Sequence, residues 1–181
     1  MSPRYSVRGS RADFYVSSIL DVDFNAISAS GARGVLLDVD NTLVPPGEDM
    51  IEQRVVNHIR QAQDHTDIAR WALASNTRRE LSTLATKLDV EVVRTGRLIA
   101  KPRSAYYRRA LALFGLSGPQ VAMIGDRALH DTLPPSKLGL VTVLVDPRWP
   151  DQWIDRLLLR RARERGVRMR SASSASLTKG A

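Results

Sequence analysis

The sequence predicts an α/β fold: a mainly parallel five-stranded sheet with helices on both faces, in three layers. Short, almost wholly apolar runs recur along the chain and read as buried strands. Stretches with apolar residues at helical spacing alternate with them, which implies βαβ units. Several runs also end in polar residues, and in open α/β sheets the C-terminal ends of the strands are where ligands bind.

Residues 13–30 form a loosely helical lead-in, with Ile19, Leu20, Val22, Phe24 and Ile27 as apolar anchors. Gly34 to Asp40 is the first strand. Pro45-Pro46-Gly47 turns the chain, and Ile51, Val55, Val56 and Ile59 then mark an amphipathic helix over residues 50–63. Ile68 to Ser75 is the second strand. Asn76 and Thr77 open the next helix, whose core face is Leu81, Leu84, Ala85 and Leu88. Val90 to Val93 is a short third strand. Pro102 starts a helix at the position proline tolerates, running through Tyr106, Ala110 and Leu113 to Gly115. Val121 to Ile124 and Leu140 to Val145 complete the sheet.

A chain of 181 residues is expected to form one main domain with a proper core. Its 43% apolar and 25% charged content is ordinary for a soluble globular protein. The absence of cysteine excludes disulfides, thiol catalysis and Cys-ligated zinc. His58, His65 and His130 have no metal-ligand spacing. No apolar run approaches the roughly 20 residues needed to cross a bilayer, and Met1 to Arg11 is not followed by the apolar core of a secretory signal. A cytoplasmic location is expected. The formal charge is +8, and residues 151–181 hold eight basic against three acidic side chains, a local +5. Such basicity suits an anionic partner: a phosphorylated substrate, an acidic lipid surface or nucleic acid.

Candidate chemistry gathers at the strand ends. The first strand runs into Asp38 and Asp40, the second into Ser75-Asn76, the fourth into Gly125-Asp126, and Lys101 stands in a loop entering a helix. Two carboxylates spaced by one leave a strand on the same side and repel each other unless a cation intervenes. Acids, a hydroxyl and a lysine at one rim match the needs of phosphoryl transfer: a carboxylate to attack, a metal to neutralise phosphate oxygens, and donors to hold the phosphoryl group. Taken singly, the same residues also suit plainer tasks. Ser75-Asn76 can cap a helix, Asp126 can sit in a turn, and Arg78 and Arg79 can be solvated or can meet phosphate oxygens at a helix N-terminus.

Together these motifs resemble the haloacid dehalogenase (HAD) superfamily. Asp38-Val39-Asp40-Asn41-Thr42 matches its D-x-D-x-T motif, Ser75 the second motif, Lys101-Pro102 the third, and Gly125-Asp126 with Asp131 the fourth. The resemblance implies a HAD-like Rossmannoid α/β/α sandwich and an enzyme, a phosphomonoesterase. It makes Asp38 the nucleophile that forms an aspartyl-phosphate, and Asp40 the general acid that protonates the leaving oxygen and then activates water. Lys101 would pair with Asp38, while Thr42, Ser75, Asn76 and Arg78 would face the substrate. Mg²⁺ would be held by Asp38, Asp126 and the backbone carbonyl of Asp40, with Asp131 behind them; such a site suits a cation that keeps waters and takes a few carboxylates. After Asp131 the chain departs from the expected Gly-rich turn with Pro134-Pro135.

Neither the Thr42–Ser75 nor the Ser75–Lys101 interval has room for a large cap domain, so an open site is expected. Size and local wording over residues 15–150 are most similar to the YqeG-like phosphatases of subfamily IIIA, a group similar to phosphatidylglycerophosphate phosphatases. That implies a phosphorylated lipid headgroup as substrate. A soluble sugar phosphate, nucleotide or nucleic-acid end is the alternative, and a non-catalytic nucleic-acid-binding module the least favoured. The expected organisation is a lead-in at 1–30, the phosphatase domain at 31–166 ending in a basic amphipathic helix, and a disordered tail at 167–181. In that helix Trp149, Trp153, Ile154, Leu157 and Leu158 form a stripe flanked by Arg156, Arg160, Arg161, Arg163 and Arg165. It suits peripheral contact with an anionic membrane at its inner face, or packing on the domain with solvated arginines. No pattern in the sequence bears on oligomeric state.

Overall fold

In the computed structural model, which describes residues 12–77, 79–95 and 99–149, the strands form one sheet in the order β1-β6-β5-β2-β3-β4. They are β1 (Phe14–Val16), β2 (Gly34–Leu37), β3 (Arg70–Leu73), β4 (Glu91–Val92), β5 (Val121–Gly125) and β6 (Val141–Val145). Every neighbouring pair is parallel, so all six C-terminal ends lie on one rim. β2 is central, flanked by β3 and β5.

The layers follow from the alternation of side chains along each strand. Val35, Leu37, Trp71, Leu73, Ala122 and Ile124 pack on one face, in a core shared with α1 (Phe24–Ala29), α2 (Gln53–His65) and α3 (Ser82–Leu88). Leu36, Ala72, Val121 and Met123 face the other way, onto Tyr106, Tyr107, Ala110 and Phe114 of α4 (Ser104–Phe114). A sheet covered on both sides needs apolar residues at consecutive positions, which explains the unbroken apolar runs. α4 stops at Gly115, whose φ of 66° is the left-handed conformation that closes a helix at little cost to glycine.

Three expectations are corrected. The sheet has six strands, not five, because the lead-in opens with β1 before a 3₁₀ turn (Ile19–Asp21) and α1. β1 pairs with β6, and Asp13 beside it accepts hydrogen bonds from Thr142 N and Oγ1 at 2.8 and 3.0 Å. The helix after β3 begins at Ser82 rather than at Asn76-Thr77. Asn76 is diverted: its amide donates to Lys101 O and its oxygen accepts from Lys101 N, both at 2.8 Å. Likewise α4 starts at Ser104, leaving Pro102 in the preceding turn. The basic helix and tail placed after Trp149, and Arg78, lie outside the described residues.

Candidate active site

Just past the end of β2 the ladder still holds Asp38, whose N–H bonds Ile124 O at 2.9 Å. The chain then tightens into a loop in which the amides of Leu43 and Val44 both reach back to Val39 O, with Asn41 at φ 66°. Period-two alternation therefore ends at the strand, and the two aspartates part company. Asp38 is buried, whereas Asp40 is half-buried at the rim. Thr42, expected against the substrate, is fully buried, and its hydroxyl instead donates to Asp38 Oδ2 at 3.3 Å.

Lys101 is also buried, and its ammonium bridges two acids: Asp38 Oδ1 at 2.5 Å and Asp131 Oδ1 at 2.7 Å. The turn after β5 supplies both Asp126 and Asp131. Residues 128–132 wind as a short π-helix leading into α5 (Leu133–Ser136), which carries Pro134 and Pro135. Asp131 Oδ2 accepts from Arg127 N at 3.1 Å and presses against Gly125, where a β-carbon would lie 2.5 Å from the Asp131 carboxyl carbon. Asp38, Asp126 and Asp131 are all buried and each offers an oxygen within 4.8 Å of the others.

Burial pushes the Asp38 carboxyl up to about 6; the Asp131 and Asp40 charges add to the rise, and Lys101 opposes it. Burial also works against the Lys101 ammonium, but the Asp131 and Asp38 carboxylates outweigh it and hold the amine well above its ordinary value. Lys101 is thus a fixed cation at any physiological pH. The Tyr106 and Tyr107 phenols are pushed up by burial and stay neutral.

Over these groups opens a cleft of about 560 Å³, lined by Asp38, Asp40, Ser75, Asn76, Lys101 and Asp131 among others. Ser75 lines the cleft, and its hydroxyl accepts Thr77 N in a local turn rather than capping the helix, which begins at Ser82. Arg79, weighed above with Arg78 as a contact for phosphate oxygens, lines it too, as do Arg127 and His130, which were not singled out from the sequence as site residues. Arg79 had a signal, as a cation a few residues beyond a strand end; Arg127 and His130 had only their closeness to Asp126. One helix and one strand fill each interval, Thr42–Ser75 and Ser75–Lys101, and no separate domain is inserted among the described residues.

A buried lysine set among three buried carboxylates at the rim of a parallel sheet is an arrangement that can serve phosphoryl chemistry. Comparison with known proteins points the same way. A family model described as HAD-hydrolase-like matches residues 98–147. The Bacillus subtilis protein named "Probable phosphatase YqeG" is 24% identical over 135 residues, covering 75% of this chain and 76% of that protein. The chloroplastic phosphatidylglycerophosphate phosphatase 1 of Chlamydomonas reinhardtii is 30% identical over 138 residues, 71% of this chain. The chain is similar to proteins of the HAD superfamily, and among them to the YqeG-like phosphatases. The chain spans only 50% of the Chlamydomonas protein's length. Its fold is shared with an uncharacterized protein from Corynebacterium glutamicum (24% identity, 71% of this chain and 91% of that one, TM-score 0.52). The cobalt-bound deoxy-D-mannose-octulosonate 8-phosphate phosphatase of Haemophilus influenzae is similar too (18% identity, 71% and 76%, TM-score 0.51).

Proposed function

We propose that this protein is a HAD-type, Mg²⁺-dependent phosphomonoesterase that works through an aspartyl-phosphate at Asp38 and acts on phosphatidylglycerophosphate. The observation that carries the mechanism is the buried Asp38–Lys101–Asp131 bridge beside Asp126 at the floor of an open cleft. Three converging carboxylates and no sulfur or imidazole in the cluster fit a hard, oxygen-seeking divalent cation, which Asp38 and Asp126 would hold with Asp131 close by. When bound, that ion would neutralise phosphoryl oxygens.

The residues of the chain divide the remaining work. An Asp38 oxygen bonds to phosphorus as the bond to the leaving oxygen breaks, and Asp40 gives that oxygen a proton. Asp40, now ionised, takes a proton from water, whose oxygen attacks phosphorus and returns Asp38 as the carboxylate. Lys101 and the Ser75 hydroxyl hold the phosphoryl oxygens throughout. A nucleophile titrating near 6 is mostly ionised at neutral pH.

The lipid substrate is supported by the Chlamydomonas relative, by the uncapped cleft and by the basic, Trp-containing segment beyond residue 148. Among the described residues no helix is long and apolar enough to cross a membrane, so contact with the bilayer would be peripheral. The test is phosphate release by the full chain with Mg²⁺, from vesicles carrying phosphatidylglycerophosphate and from soluble sugar phosphates, nucleotides and nucleic-acid ends. Release from vesicles and little from soluble esters is expected, abolished by Asp38→Asn. The reverse preference refutes the lipid assignment, and full activity of Asp38→Asn refutes the mechanism. Tight, salt-sensitive RNA binding without any hydrolysis would make the chain a binding module instead.

A further inference from the structure

Arg79 is only 18% exposed, and its guanidinium is spent on three acceptors within the protein. Nη1 donates to Asp40 Oδ1 at 2.7 Å, Nε to Asp49 Oδ1 at 2.7 Å and Nη2 to Glu48 O at 2.7 Å. Glu48 and Asp49 belong to the segment that follows the Pro45-Pro46-Gly47 turn, and Gly47 N itself donates to Asp40 Oδ1 at 3.0 Å. Both hydrogen bonds to the Asp40 side chain therefore end on the same oxygen.

We infer that Arg79 is a positioning residue for Asp40: its planar fork ties Asp40 to the 47–49 segment, fixing Oδ1 and presenting Oδ2 as the oxygen that carries the transferable proton. The role rests on the reading of Asp40 as the proton donor. A fork satisfied on three sides has fixed geometry, unlike a solvated surface pair worth little. Its planarity matters, because a lysine in its place would offer one point charge and no fork. The alternative job for a cleft arginine, clamping the substrate's phosphate, would require these bonds to break.

In the step concerned, the bond from phosphorus to the leaving oxygen breaks and its electron pair stays on that oxygen. The Asp40 Oδ2 proton moves there, and Asp38 takes up the phosphoryl group. A leaving group as stable as p-nitrophenolate departs without that proton; an alkoxide does not. The test compares phenethyl phosphate with p-nitrophenyl phosphate, with Mg²⁺, for the full chain and its Arg79→Ala, Arg79→Lys and Asp40→Asn variants. Arg79→Ala is expected to lose about tenfold more kcat/KM, which reports the step that expels the leaving group, on the alkyl than on the aryl ester, in the same sense as Asp40→Asn but to a smaller extent. Arg79→Lys should recover part of that difference.

Equal losses of kcat/KM on both esters would mark Arg79 as a structural clamp, or as a substrate contact where KM rises with kcat kept; either overturns the inference. Thermal melts of the variants show whether folding is at fault, but the alkyl-to-aryl ratio is independent of how much enzyme is folded. If Asp40→Asn itself shows no alkyl-selective loss, the acid assignment fails, and the role of Arg79 with it. If Asp40→Asn is selective and Arg79→Ala is not, the role of Arg79 alone fails. No hydrolysis of either ester by the unmodified chain overturns both.

Discussion

The centre of the site is a knot of charge held under the surface, and single residues in it carry large stakes. Removing Lys101 would leave Asp38 and Asp131 buried together without their shared cation. Breaking a buried pair from one side costs roughly 3–5 kcal/mol. Lys101→Met should therefore lower unfolding free energy by about that amount in urea titrations with chelator present, and added Mg²⁺ should restore part of it. The Asp38 carboxyl gives a pH signature whose sign follows from its direction of shift. Its value is 3.8 unfolded and about 6 folded, so the native state holds the extra proton between those limits. Stability of the metal-free protein should therefore be greater below pH 4 by this group's contribution, and fall as pH rises to 6, by on the order of 3 kcal/mol. Urea midpoints of chelated protein against an Asp38→Asn control would show it; a contribution that grows with pH would contradict the assignment. Gly125→Ala is a third case. The new methyl would collide with the Asp131 carboxyl. It should cost about 1–3 kcal/mol and at least ~10-fold in kcat/KM, since a misplaced Asp131 no longer supports Lys101.

At the level of elements, what the sequence disclosed depended on how local the cause was. The apolar runs of β2 and β5 were legible because burial on both faces writes itself into consecutive residues such as Val35, Leu36 and Leu37. β1 was not legible. Phe14, Tyr15 and Val16 are all half-buried with no alternation, and what makes them a strand is a partner 129 residues away in β6. Residues 76–81 misread as a helix start for a related reason: Asn76 looks like a cap, yet its bonds go to Lys101 across the rim. In the site, the D-x-D-x-T, Lys-Pro and Gly-Asp motifs pointed to Asp38, Lys101 and Asp126. The parting of Asp38 from Asp40 and the capture of Asp40 by Arg79 depend on loop geometry that no local pattern encodes. The non-local strand can be tested at its weakest tie. Asp13→Ala removes the acceptor for buried Thr142 and should cost about 1–2 kcal/mol, with faster hydrogen exchange at the Thr142 amide than elsewhere in β6.

For the molecule as a whole, an all-parallel sheet gathers its chemistry on one rim and leaves the opposite rim to stability. Binding there should be felt globally. Mg²⁺ is expected to raise the melting temperature, and by more at pH 7.5 than at pH 5, because the cation and the Asp38 proton compete for the same carboxylate. Differential scanning fluorimetry at the two pH values decides it; an equal or reversed effect would place the ion elsewhere. The pairing of β1 with β6 has another consequence, in time rather than space. Of the described strands, β1 is the first to leave the ribosome, and β6, the only one of them it pairs with, is the last. β2 can find β3 early, but β1 must wait through more than a hundred residues with its hydrogen-bonding edge unmet. Of the described strands, the first made is the last that can be placed.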